Sequence, residues 1–362
     1  TTQEVDSLIS KIQETVENSL PLIAQKSMDV TSENGGNLKG QIHYCPRGVM
    51  AVVGAFSLPA LTAINQIGSA LIAGNTVVFK PSEHTPAIGQ FLAECFEKSG
   101  FLPGVFNLVQ SDINGGKKLV TDENVNGILF AGSYETGLSI KHETLNHYWK
   151  VLALEMGGKN ASLVWQDANL DKAIYKTLLG AYLSSGQRGT STSRVLLHES
   201  IYEAFLERFY QHAKKLSVGH WDSNVFMGPL ISEGAVEKYL RFQEISKREG
   251  CESYMRGKVI ECSHKGYYVT PSITLVKEVK TDSIYQKSEI FGPNVAVYKV
   301  SDINQSMEIV NSTGYGLSLA LFTEKQEIFS DVIQTARVGA INCNGSTHEI
   351  CSQMPLAPQG KS

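Results

Sequence analysis

Residues Gly48–Phe79 read GVMAVVGAFSLPALTAINQIGSALIAGNTVVF, and the fold is decided there. Val49–Val53 is a short apolar run with the look of a buried strand. Leu61–Ala73 fits a helix ended by Gly74, and Thr76–Phe79 is the next short strand. Strand, helix and strand within roughly thirty residues make one βαβ unit, which implies a parallel sheet covered by helices.

The same alternation extends outward. Upstream, Val5, Leu8, Ile9, Ile12, Val16, Leu20 and Ile23 fall close to helical spacing across residues 4–26, and Ser32–Asn37 reads as a turn between extended segments. Downstream, a helix is predicted from Pro86 to Ser99, ended by Gly100, with strands at Val105–Val109 and Gly127–Phe130. A second region runs from Asn160 to Asn344. Helices are predicted there at Leu170–Ser184, Ile201–Leu216, Ser232–Glu249 and Ile303–Ser312, and strands at Val195–His198, Val295–Lys299 and Leu319–Phe322. No internal repeat interrupts the pattern. Two doubly wound α/β domains are expected.

Composition narrows the function classes. Of 362 residues, 42% are hydrophobic and 19% charged, as in an ordinary soluble globular protein with room for two cores. Lys and Arg number 32 against 36 Asp and Glu, and no basic stripe or charge block stands out, so neither nucleic acid nor an anionic membrane is an expected partner. The longest apolar runs, such as Gly48–Ala55 and Ser69–Ala73, are far shorter than the roughly 20 residues of a spanning helix. No secretory signal is visible, and a start at Thr1 rather than Met reads as a processed, cut or partly observed chain. Cys45, Cys95, Cys251, Cys262, Cys343 and Cys351 form no CxxC pair, which points to reduced thiols in a cytoplasm. The histidines, His43, His84, His142 and His147 among them, look dispersed, with none paired to carboxylates at ligand spacing, so no metal is expected.

Two segments suggest a nucleotide. Phe79–Glu83 (FKPSE) lies at the carboxyl end of a strand, where open α/β sheets bind ligands. Lys80 there can bond ribose hydroxyls or phosphate, and Glu83 can accept from a ribose diol. Phe130–Gly137 (FAGSYETG) follows another strand and should open a helix whose free N–H groups face a pyrophosphate. Neither segment is the GxGxxG fingerprint, and each alone reads first as a turn plus a helix cap.

Taken in order, the motifs resemble the aldehyde dehydrogenase superfamily along nearly the whole chain. They are Ala73–Thr76 with Phe79–Glu83, Leu102–Asn107, Ala131–Gly137, Leu154–Asn160, Gly186–Arg188, Gly228–Pro229, Glu289–Pro293 and Tyr315–Ser318. Within that superfamily, Leu152–Gly158 and Ser185–Thr190 look most like succinylglutamate-semialdehyde dehydrogenases. The resemblance implies NAD as cofactor, because an acidic Glu83 suits a free 2′-hydroxyl. It implies that Lys80, Ser82 and Glu83 hold the adenosine ribose side, that Gly132, Ser133 and Gly137 lie at the pyrophosphate, and that Glu289 and Phe291 place the nicotinamide end. It also implies a division into an NAD-binding Rossmann-like domain (1–27 and 47–157), an oligomerisation β segment (28–46), a catalytic-type α/β domain (158–344) and an incomplete C-terminal loop (345–362).

The chemistry of that family needs a cysteine thiolate to attack the aldehyde, a glutamate to activate water, and an asparagine amide with a backbone N–H for the oxyanion. Glu155 matches the base. Gly186, Gln187 and Arg188 match the nucleophile motif and Arg194 its following arginine, but the cysteine position holds Gly189. The oxyanion asparagine position holds Ser57, in Gly54–Pro59. In the loop resembling Pro-Phe-Gly-Gly, Ala357 and Pro358 replace two glycines, and both ends fall short of the family pattern.

Three readings follow. The leading one is a catalytically inactive homologue that binds a dinucleotide, or scaffolds, alongside a protein partner or a second copy. Next comes an active NAD-dependent semialdehyde dehydrogenase, either with a nucleophile relocated to Cys343 or Ser191, or as an engineered form of an active parent. Last is a structural subunit that binds no nucleotide. Thr190, Ser191 and Ser193 near Gly189 read first as small polar packing residues, and Cys343 as a wall residue where the family lines its substrate tunnel.

Overall fold

In the computed structural model, residues 2–31, 37–350, 354 and 356–362 are described, Thr2 and Gln3 by backbone alone. The predicted turn at Ser32–Asn37 falls, but for Asn37, outside the described residues, as do Cys351 and Pro355. The chain divides into two compact units, one running to Met156 and one from Gly157 onward apart from a short stretch around Met354.

The first unit begins with α1 (Thr2–Ile23) and a hairpin of β1 (Lys26–Thr31) and β2 (Asn37–Ile42), paired antiparallel. The hairpin exposes Met28, Val30, Leu38 and Ile42. Then come β3 (Val49–Val53), α2 (Leu61–Ile72), β4 (Thr76–Lys80), α3 (Pro86–Lys98), β5 (Phe106–Leu108), α4 (Ile113–Thr121), β6 (Val125–Gly132), α5 (Tyr134–Glu143) and β7 (Val151–Met156). The strands form a parallel sheet of order β5-β4-β3-β6-β7. Successive strand residues face opposite sides, so Met50 and Val52 join Ile64, Ile67, Phe79 and Leu92 in one core. Ala51 joins Val120, Ile128, Phe130 and Ile140 in the other. Helix α2 carries no N-cap side chain of its own. Its start is capped instead from α1, where Glu4 Oε1 accepts from Ala60 N at 2.8 Å and Leu61 N at 2.9 Å. Gly74 ends it with φ +80°, a conformation that glycine adopts without steric cost.

The second unit holds β8 (Asn160–Val164), α6 (Leu170–Tyr182), β9 (Thr192–His198), α7 (Tyr202–Ala213), α8 (Glu233–Arg248), β10 (Glu252–Met255), β11 (Ser272–Val276), α9 (Ile284–Lys287), β12 (Asn294–Val300), α10 (Ile303–Asn311), β13 (Tyr315–Gly316), β14 (Ser318–Phe322), α11 (Gln326–Thr335), β15 (Ala340–Cys343) and β16 (Gln359–Gly360). The main sheet runs β10-β11-β12-β9-β8-β14-β15, parallel except at the β10 edge. Leu163, Leu196, Tyr298 and Leu321 face Tyr239, Phe242 and Met307 of α8 and α10. Val164, Leu197, Val297 and Phe322 face Ile174, Phe205 and Phe209 of α6 and α7. Both sheets are therefore covered on both faces, the α/β class read from the sequence.

The structure corrects some details. Helix α6 stops at Tyr182, short of the predicted Ser184, because Leu183 turns to extended backbone and Ser184 and Ser185 follow in the left-handed region. The residues 345–362, expected as loop, include the short β16, which pairs antiparallel with β13. Elements α4, β7, β8, β10, β11, α9, α11 and β15 were not assigned from the sequence. Several of these are only four to six residues long, too short for periodicity to stand out. Among the described residues no helix is long and apolar enough to cross a membrane.

Candidate functional site

In the first unit, the segments expected to meet a dinucleotide sit at the carboxyl ends of β4 and β6. Lys80 closes β4 with its side chain almost wholly buried; its Nζ donates to Pro81 O at 3.2 Å and lies 3.6 Å from Glu83 Oε2. Ser82 Oγ accepts from His84 N at 3.3 Å, so the serine shapes the turn that carries Glu83 outward. Gly54 N donates to Lys80 O at 2.9 Å, and the Phe56 ring meets His84 edge-on at 5.8 Å. These contacts hold the loop with half-buried Ser57 against the Lys80 turn.

After β6, Ser133 is the N-cap of α5, its Oγ accepting from Thr136 N at 3.2 Å. A β-carbon at Gly132 would lie 2.4 Å from Phe130 Cζ, and one at Gly137 would lie 2.4 Å from Met156 Sδ. Both glycines therefore have a packing reason to be glycine, whatever the helix N-terminus binds. The residues fit a dinucleotide on two counts: a lysine and a glutamate share the end of β4, and a ten-residue helix opens beside a glycine with no room for a side chain. Glu155, on edge strand β7, pairs with Ala131 of β6. Crowding by neighbouring atoms raises its carboxyl pKa above the usual range, with the Gln66 amide and the Lys11 charge pulling it back.

In the second unit, the loop leading to Gly189 is unusual. Ser184, Ser185 and Gly186 have φ of +58°, +57° and +67°. Successive non-glycine residues in the left-handed region each cost about 1–3 kcal/mol and persist where surrounding bonds dictate them. Those bonds are present. Ser185 Oγ donates to Gly228 O at 2.7 Å, Arg188 Nε donates to Ser184 Oγ at 2.9 Å, and Gln187 Oε1 accepts from Ile231 N at 2.9 Å. Gly186 has no room for a side chain, since its β-carbon would meet Gly292 O at 2.3 Å.

Beyond the strained turn, buried Asn160 holds the far side. Its Nδ2 donates to Gly189 O at 2.7 Å and Ser191 O at 3.0 Å, while its Oδ1 accepts from Ser318 N. Arg194 is buried, donating to the carbonyls of Lys159, Ile309 and Val310; burial pulls its pKa to about 10, still charged at neutral pH. Among the described residues, Gly189 contributes its carbonyl to this frame. It is not among the glycines with positive φ, so its backbone conformation is one that a residue with a side chain adopts without strain.

A small cleft, partly open to solvent, is lined by Gly158, Arg188, Ser191, Glu289, Phe291 and Gly292 among others. Glu289 Oε1 accepts from Gly158 N at 2.9 Å, and any side chain at Gly157 would collide with the same carboxylate. Phe291 holds φ +59°, a rare conformation for a bulky residue and a second strained point on the cleft wall. Ser191 Oγ lies 3.4 Å from His348 Nε2 and accepts from Arg188 N at 3.2 Å. Burial, with the Arg188 charge beside it, drops the His348 pKa to about 3. Cys343 ends β15 exposed and is not part of the cleft wall. Its thiol pKa is raised by the atoms packed against its partly covered side and by Glu324, the opposite of what activates a nucleophile.

The site residues thus divide by unit: Ser57, Lys80, Ser82, Glu83, Gly132, Ser133, Gly137 and Glu155 lie in the first, and Gly189, Glu289 and Phe291 in the second. Sequence reading missed the clamp by Asn160, although it directly follows the Gly157-Gly158-Lys159 motif, and the Ser191–His348 contact, which no spacing announces. It also missed a histidine–carboxylate cluster. His220 Nδ1 lies 2.8 Å from Asp222 Oδ1, and His264 joins them from a distant loop, which corrects the expectation that no histidine is so paired.

Comparison with known proteins places this geometry. The aldehyde dehydrogenase family model matches residues 1–362. An N-succinylglutamate 5-semialdehyde dehydrogenase of Legionella pneumophila (strain Corby) is 33% identical over 99% of this chain and 70% of its own length. The enzyme of the same name from Acinetobacter baylyi is 32% identical over 100% of this chain and 73% of its own length. Among solved structures, a 3,6-anhydro-L-galactose dehydrogenase in complex with NAP superposes with TM-score 0.91 at 27% identity, over 99% of this chain and 74% of that one. A Thermus 1-pyrroline-5-carboxylate dehydrogenase with bound NAD superposes with TM-score 0.87 at 27% identity, over 99% and 69%. The chain belongs to the aldehyde dehydrogenase family.

Proposed function

We propose that this chain is a catalytically inactive, succinylglutamate-semialdehyde-dehydrogenase-like member of the family, a dinucleotide-binding or scaffold subunit of the cytoplasm that works with a second copy or another protein. One observation carries the reading: the loop that should present the nucleophile is fully framed by Ser185, Gln187, Arg188, Asn160 and Arg194, yet its centre is Gly189, which has no side chain. Ser57 in place of the oxyanion asparagine supports it, since a hydroxyl has a shorter reach than an amide. Losing a nucleophile costs about 10⁶ in turnover in a well-studied hydrolase, and losing an oxyanion donor about 10²–10³.

NAD is the favoured cofactor. Lys80, Ser82 and Glu83 would hold its adenosine ribose, the α5 start at Gly132, Ser133 and Gly137 its pyrophosphate, and Glu289 and Phe291 its nicotinamide end. Bound there, a nicotinamide cofactor supplies a hydride acceptor. Glu155, with its raised pKa, keeps the character of a general base but has no thioester to serve. The exposed apolar edge of the β1–β2 hairpin supports its role as an oligomerisation element. Incubation with NAD and a panel of aldehydes, N-succinylglutamate semialdehyde included, should yield no reduced nicotinamide. Turnover that is abolished by Glu155→Ala would overturn the reading.

A second reading has one observation in its favour, the 3.4 Å approach of Ser191 to His348 in the cleft. A serine nucleophile needs a base, and an imidazole with a pKa near 3 accepts a proton poorly at neutral pH. Mass spectrometry after exposure to a reactive aldehyde decides it, an adduct on Ser191 or Cys343 being its signature. A purely structural subunit is separated from both by calorimetric titration with NAD, which such a subunit would not bind.

A further inference from the structure

We propose that His220, Asp222 and His264 form a binding site for a divalent transition-metal ion of the zinc class. The three residues lie in the second unit, on two stretches of chain more than forty positions apart. Backbone pairing brings these stretches into place: Val218 bridges Met227, Leu230 bridges Tyr267, and Val259 bridges Val269. One ligand atom from each residue falls within 4.8 Å of the others, with His220 Nδ1 at 2.8 Å and His264 Nε2 at 3.9 Å from the Asp222 carboxylate. The two imidazole rings stack, with centroids 4.0 Å apart and planes 20° apart. His220 Nδ1 is shielded from solvent and makes no hydrogen bond of good geometry, although Asp222 is close.

Two imidazole nitrogens and one carboxylate oxygen suit zinc, cobalt, nickel or copper, whereas magnesium and calcium prefer all-oxygen sites. Zinc bonds of about 2.0–2.1 Å put tetrahedral ligand atoms about 3.3–3.4 Å apart, so the exposed His264 would turn inward and the closer His220–Asp222 pair would open slightly. Water would complete the shell, because those two residues face solvent. The ion would tie the chain around His220 to the chain around His264, adding stability to the second unit that grows with the logarithm of free ion concentration above the dissociation constant. Nothing in this proposal depends on Gly189 or on dinucleotide binding.

Calorimetric titration of the untagged full chain with zinc chloride, and then nickel chloride, in a non-chelating buffer tests it. One equivalent per chain is expected, with magnesium giving no heat. His220→Ala and His264→Ala should each weaken binding by more than about tenfold, since even outer-shell changes reach that size. Cys262→Ser should bind as the parent does, which excludes capture by the nearby thiol. Trp221 supplies a second readout, for its ring is 82% exposed and 5.4 Å from that of His220. Nickel or copper should quench its fluorescence saturably in the parent and not in the histidine variants. Absence of saturable binding up to millimolar ion, or binding unchanged in the double histidine variant, would overturn the site.

Discussion

The turn after β4 and the loop before β9 are built with equal care, yet they differ in what they hold. At the first, Lys80 and Glu83 keep the charged groups a ribose would meet. At the second, the left-handed backbone of Ser184–Gly186, the Gln187 and Arg188 bonds and the Asn160 clamp all remain around a glycine. The residues of that frame are also fold residues. Asn160 ties β8 to the loop and to Ser318, and Arg194 satisfies three buried carbonyls. Removing either one strands buried polar groups. The side chain at 189 bears no such load. On the proposed reading, the frame of such a loop and its reactive atom are separable, and the frame alone says little about turnover.

The sharpest way to break this contrast is to refill the empty position. Gly189→Cys combined with Ser57→Asn should raise NAD-dependent aldehyde oxidation by at least ~10³-fold over the parent, a partial recovery of the roughly 10⁶ that a nucleophile supplies. Continued silence in a folded double variant that binds NAD would show that the frame too has lost its function. Asn160→Ala addresses the frame directly. Leaving the Gly189 and Ser191 carbonyls and Ser318 N without their partner should cost about 2–3 kcal/mol, read from the denaturant midpoint at constant slope. On the other side of the contrast, Lys80→Ala should weaken NAD binding about tenfold, or ~1.4 kcal/mol. The exposed Glu83, replaced by Ala, should weaken it less.

A separate contrast is read against pH. His348 has a folded pKa of about 3 against an ordinary 6.5, so between these values the unfolded chain binds the extra proton. Its contribution is therefore full above 6.5 and is lost as the pH falls toward 3. His348→Gln should lose less stability than the parent over that interval in acid unfolding curves. Parallel curves for the two proteins would contradict the burial of a neutral imidazole beside Ser191.

The sequence showed the architecture because apolar runs and glycine stops are local signals. Val49–Val53, Leu61–Ala73 and Thr76–Phe79 each emerged within a residue or two of their structural bounds. The proposal for Gly189 also starts from the sequence, since Gly186-Gln187-Arg188 and Arg194 flank it at the intervals the family resemblance implies. What stayed hidden depends on tertiary context. Serine is not a residue whose identity announces a positive φ, so the strain at Ser184 and Ser185 had no sequence mark. Likewise His220 and His264 come together through contact between distant loops, with Leu230 bridging Tyr267. The dual nature of Gly137 was hidden for the same reason: its packing against Met156 is invisible until β7 lies beside β6.

The central claim meets its most direct test in a stopped assay of the purified chain with saturating NAD and N-succinylglutamate semialdehyde, reading reduced nicotinamide against an enzyme-free control. The two traces should coincide. Formation of reduced cofactor above the control, in proportion to the amount of chain added, would contradict the account.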